Sequence, residues 1–298
     1  MRQGTLIALA LVVTASAHSQ SRVNLAYVAP DLQIEGVTSP LSACVFVGGY
    51  DGSRFTPAPE LAPPKPDFDR AFANSVRAFL PQQALAGVTT RGTPVRAVVE
   101  QTDPEALNEL GAAGLTVRIQ GARPSGDGVL LSTTAMPIRI LSRQSARLDS
   151  PVGAVLRGRA QQLWNRHLQE RSADERPARF TLKAPIVERV DSVPSILVVT
   201  FPMDIEEDNL NGDGKTYHDD RGQMFFIYST SARRIIRAEF GHPEWSPGST
   251  VRTIKPAMYF QVGSAGPVFF VGKNASGWEA SEYGLFDLKT GRELLGCW

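Results

Sequence analysis

From Phe180 onward the chain is a succession of short apolar runs broken by turn signals, and this pattern constrains its fold more than any other feature. The runs are Phe180 to Val187, Ile196 to Phe201, Met224 to Tyr228, Ile235 to Phe240, Ala257 to Val262, Val268 to Val271, Tyr283 to Leu288 and Arg292 to Leu295. Their length and their β-branched and aromatic content are those of strands. Gly263-Ser264-Ala265-Gly266 separates two runs, and Lys289-Thr290-Gly291 supplies a glycine where a tight hairpin needs positive φ. The spacing predicts an antiparallel meander. No internal repeat accompanies it, so a propeller or solenoid is not supported.

Two segments read as helices. Asp67 caps the first, whose Phe68, Phe72, Val76, Phe79 and Leu80 share a face before Pro81 stops it. The second starts at Ser150-Pro151 and aligns Val152, Val155, Leu156, Ala160, Leu163, Trp164 and Leu168. His167, beside that face, reads as a packing residue. A short helix is expected over Asp103 to Leu110, among strands at Val95 to Val99, Leu115 to Ile119, Val129 to Ser132 and Ile138 to Leu141. The five prolines between Pro57 and Pro66 predict an extended connector. Together these elements imply an α+β fold, an antiparallel sheet in the C-terminal part with one or two amphipathic helices packed on it. The expected organisation is a leader over 1–17, a mixed region over 18–147 and a helix-plus-sheet domain over 148–298, with one continuous domain over 18–298 as the alternative.

The N-terminus has the form of an export signal. Arg2 precedes an uninterrupted apolar run from Leu6 to Val13, and small residues follow at Ala15 and Ala17. The run is far short of the roughly 20 residues a membrane-crossing helix needs. Cleavage after Ala17 and a secreted or periplasmic location are expected, with no membrane span. In an oxidising compartment Cys44 and Cys297 are expected to pair. The alternative is two buried thiols.

The 31 basic and 30 acidic residues nearly cancel, which argues against a nucleic-acid partner held by bulk charge. The acids are unevenly placed. Seven of them fall between Asp204 and Asp220, a density that repels itself unless solvated or neutralised by a cation. Within this stretch, Asn209-x-Asn211-x-Asp213-Gly214 resembles the D-x-[DN]-x-[DN]-G calcium loops. Calcium takes six to eight oxygens, and alternate side chains of a curled loop converge on one point. The resemblance implies Asn209, Asn211 and Asp213 as side-chain ligands, Lys215 as a carbonyl ligand and Asp220 as the closing acid. Because apolar runs flank the loop, it is more similar to the strand-flanked loops of FG-GAP-like and thrombospondin-type repeats than to a helix–loop–helix sensor. A plain solvated acidic turn is the alternative.

G-x-S-x-G, H-E-x-x-H and C-x-x-C patterns are absent from the sequence. The reading is therefore an exported, non-enzymatic binding or interaction module with a structural calcium loop. The alternative is a metal-dependent hydrolase that joins His218, Asp219 and Asp220 to His242 and Glu244. Trp245, Trp278, Tyr283 and Trp298 are candidates for a flat face toward a protein or carbohydrate ligand, or for core filling. Asn274-Ala275-Ser276 is a glycosylation sequon.

Overall fold

The structure is a computed structural model. It describes residues 22–30, 41–57, 68–104, 114–120, 127–170, 177–208, 216–219, 222–241, 253–275 and 283–297. The leader, the helix expected from Asp103 to Leu110 beyond its first two residues, and most of the proline-rich connector lie outside them.

The N-terminal strands form a nearly closed barrel. They are β1 (Leu25–Val28), β2 (Leu41–Ser42), β3 (Cys44–Val45), β6 (Ala84–Thr89), β7 (Pro94–Thr102), β8 (Leu115–Gln120) and β9 (Val129–Ser132), ordered β2-β8-β7-β6-β9-β1-β3. Closure comes from one short stretch of chain. Leu41 and Ser42 pair with Val117 and Thr116, whereas Cys44 and Val45 pair with Tyr27 and Ala26. Between them the Ala43 N–H donates to the Leu115 carbonyl at 2.9 Å. Helix α1 (Phe68–Arg77) adds Phe72 and Val76 to the barrel core of Ala26, Val45, Val99, Val117 and Leu131. Strand β7 alternates buried Val95, Ala97 and Val99 with exposed Pro94 and Arg96, because its outer face meets water. Strands β1 and β9 are buried on both faces.

The outer face of β1 and β9 packs on a second sheet. Its strands are β10 (Ile138–Ile140), β18 (Thr253–Val262), β19 (Val268–Ala275), β20 (Tyr283–Asp287) and β21 (Glu293–Cys297), in that order. Leu25, Tyr27, Phe46 and Leu130 meet Met258, Phe260, Phe269 and Leu285 at this seam. The hairpin of β4 (Gly48–Tyr50) and β5 (Phe55–Pro57) borders it, with Phe55 edge-on to Phe269 at 4.9 Å. Cys44 and Cys297 form a disulfide across the seam, with Cα atoms 5.5 Å apart. Beside it the Val47 N–H donates to the Gly296 carbonyl at 2.9 Å.

The opposite face of the second sheet packs on a third. That sheet runs β11 (Arg143–Ser145), β13 (Ile186–Val190), β14 (Ile196–Asp208), β16 (Gln223–Ser229) and β17 (Arg234–Gly241). Strands β12 (Pro177–Leu182) and β15 (Thr216–Asp219) pair with the far half of β14. Tyr259, Phe270, Phe286 and Leu288 meet Val198, Phe225 and Ile227 there. Phe270 and Phe286 stack with centroids 4.8 Å apart. Gly284 makes room for that stack, since a Cβ there would lie 2.6 Å from the Phe286 ring. Helix α2 (Ser150–Glu170) covers the last face with Leu156, Ala160 and Trp164.

The α+β expectation is therefore overturned. The protein is mainly β: a barrel, a central sheet, a third sheet and one covering helix, with two helices among the described residues. The physical reason lies in runs such as Met258 to Phe260 and Phe269 to Val271, which are apolar without alternation. Strands of that kind are buried on both faces, and here other sheets, not helices, supply both covers. Among the described residues no helix is long and apolar enough to cross a membrane.

Candidate functional site

The acidic segment spans a hairpin, with five of its seven acids on the two strands. Strand β14 extends to Asp208 and β15 begins at Thr216, and these two residues are paired at its mouth. The ladder then runs back from the connection, placing Tyr217 opposite Glu207, His218 opposite Glu206 and Asp219 opposite Ile205. Asn209, Asn211, Asp213, Lys215 and Asp220 lie outside the described residues. Two of the seven acids are engaged elsewhere. Asp204 meets the Lys183 Nζ at 2.7 Å, and Glu206 meets the Arg179 guanidinium at 2.9 Å.

The other candidates divide as follows. His242, Glu244, Trp245, Trp278 and Trp298 are outside the described residues. Gly241, next to His242 in the chain, is paired with Gln223, five residues beyond His218. Tyr283 is a core residue, with its ring 4.9 Å from that of Tyr27. His167 is buried, its ring 4.7 Å from Phe240 and 5.8 Å from Trp164. Asn274 lies on β19, opposite Ile254. Among the described residues no three His, Cys, Asp or Glu side chains gather as a metal-holding group.

A second site emerges only from the fold. At one end of the seam between barrel and central sheet the layers part into a cavity of about 730 Å³. Among the described residues, four cations, Arg91, Arg143, Lys255 and Lys273, line it together with one carboxylate, Asp127. Arg91 comes from the β6–β7 turn, and its Nε lies 3.0 Å from Asp127. Gly128 leaves space beside Asp127 for the Tyr27 ring. Arg143 comes from β11 and lies 3.0 Å from Glu188. The other Glu188 oxygen accepts the Tyr259 hydroxyl at 3.1 Å. Burial, reinforced by the Glu188 charge and hydrogen bond, raises the Tyr259 pKa well above 10.0. Lys255 and Lys273 are direct partners across β18 and β19. The Lys273 ammonium also lies 5.8 Å from the Tyr283 ring centre.

Fold and cleft together define a mainly β protein of stacked layers with a cationic opening between two of them. The chain matches no family model, no curated protein and no solved structure.

Proposed function

We propose that the chain is an exported binding module whose hairpin connection, 209–215, holds a structural calcium ion. The observation that carries this reading is the Asp208–Thr216 pairing. It makes the Asn209-x-Asn211-x-Asp213-Gly214 motif the connection between two hydrogen-bonded strands, so the ends of the loop are held before an ion arrives. Asn209, Asn211, Asp213 and the Lys215 carbonyl supply oxygens. The closing carboxylate is Asp220, or else Asp208 at the hairpin mouth, since four strand residues separate Asp220 from the connection. Export draws support from the leader-like N-terminus and from the disulfide, a bond that persists in oxidising compartments.

An ion that binds only the folded chain stabilises it by about 2.7 kcal/mol at 100-fold saturation. Chelation is expected to lower the melting temperature by a few degrees, and added calcium to restore it. Asp213→Ala should abolish this response. Comparing Asp208→Ala with Asp220→Ala identifies the closing acid. Identical melting in chelator and in calcium would overturn the reading. N-terminal sequencing of the natural protein should begin at His18, and an intact Met1 would remove the export claim.

A further inference from the structure

The cleft between barrel and central sheet gathers positive charge from four elements. Lys255 and Lys273 are directly opposed across β18 and β19, so their side chains start from neighbouring points of one face. Arg91 and Arg143 reach the same cleft from two other elements, and each is held by a carboxylate that is much less exposed than itself. The Asp127 side chain is 4% exposed against 67% for Arg91, and that of Glu188 is 19% exposed against 53% for Arg143. An ion pair with one member at the surface contributes little to stability, and burying a carboxylate to make it costs solvation. Such a pair does fix an arginine's fork while leaving donors of the guanidinium for a second acceptor. That is the geometry that recognises carboxylate and phosphate groups.

We propose that this cleft binds a small, multiply charged organic anion bearing carboxylate or phosphate groups. An anion there is within the shared reach of Lys255 and Lys273. The two anchored arginines add forked donors, Arg91 from the barrel and Arg143 from the third sheet. Tyr27, Met258 and Tyr283 make a buried apolar floor, which lowers the local dielectric and strengthens the attraction above it. The cavity of about 730 Å³ falls within the range of small-molecule sites, roughly 300–1,000 Å³. The proposal does not depend on calcium at the hairpin, which belongs to the third sheet.

The test is isothermal titration calorimetry of the full chain at low ionic strength, with citrate and pyrophosphate as probes. At least one is expected to bind one-to-one with a Kd below about 1 mM. The better probe tells carboxylate from phosphate. The double variant Lys255→Met/Lys273→Met should weaken binding by about tenfold or more, the loss expected when charge-assisted hydrogen bonds are removed. Arg143→Lys keeps the charge but loses the fork, and should also weaken binding. Lys289→Met, on the exposed β20–β21 turn at the far end of β20, should leave it unchanged. The proposal is overturned if neither probe binds at up to about 10 mM. Equal affinity for the wild type and the double variant would also overturn it. Should the double variant fail to fold, Arg143→Lys decides: unchanged affinity refutes the proposal.

Discussion

The two faces of the central sheet use the same strands against different neighbours. Toward the third sheet the contact is apolar, with Tyr259, Phe270, Phe286 and Leu288 against Val198, Phe225 and Ile227. Toward the barrel, Phe260, Phe269, Val271 and Cys297 make a similar contact along most of the seam. Lys255 and Lys273 stand near one end of that face, and the layers separate there. One seam holds the molecule together along its length. The other is apolar over most of its length, carries one disulfide and is open to a charged ligand at its end. A sheet buried on both faces can give up a few positions of one face to recognition because the other face keeps its full apolar contact.

The comparison can be broken from either side. The largest effect is expected from Phe270→Ala, which removes a fully buried ring from the apolar seam and should cost about 3–5 kcal/mol in a urea titration. A loss below about 1 kcal/mol would mean that this seam is not the principal hold. Next comes the tied seam. Cys44→Ala/Cys297→Ala opens a link between residues 253 apart in sequence and should cost about 2–5 kcal/mol. Reduced wild type, which keeps both buried side chains, separates the covalent part of that loss from the packing part.

The smallest effect concerns pH. Tyr259 has a raised folded pKa, so its contribution is complete below 10.0 and is lost as pH rises above that value toward the folded one. Tyr259→Phe loses a hydrogen bond to a carboxylate, worth about 1.5–3 kcal/mol at neutral pH. It should therefore narrow its stability gap to the wild type between pH 9 and pH 11. A gap constant over that range would show that Tyr259 does not titrate in this way.

Much of the strand content was legible because apolar runs bounded by glycine turns have few other readings. Gly263 and Gly291 do take positive φ, and α2 begins at Ser150. Barrel closure was not legible. Strand β6 is Ala84-Leu85-Ala86-Gly87-Val88-Thr89, whose small residues carry no strand signal. A Cβ at Gly87 would lie 2.7 Å from Leu131, so smallness there is what neighbouring strands demand. The segment Leu41 to Val45 is too short to announce that it joins both ends of one sheet.

The lysine pair was hidden for a different reason. Counting outward from the turn after Val262 sets Lys255 opposite Asn274, but a bulge between Pro256 and Met258 shifts the register onto Lys273. A bulge leaves little trace in a single sequence. The acidic hairpin was the reverse case, since its motif is plain in the residues and its ligands lie outside the described structure.

The central claim is that the middle sheet is a shared core, so that barrel, sheets and helix unfold together. Scanning calorimetry of the oxidised wild type tests it most directly. One transition is expected, with calorimetric and van't Hoff enthalpies in agreement, which both Phe270→Ala and Cys44→Ala/Cys297→Ala move as a whole. Two separable transitions, one moved only by Phe270→Ala and the other only by loss of the disulfide, would contradict it.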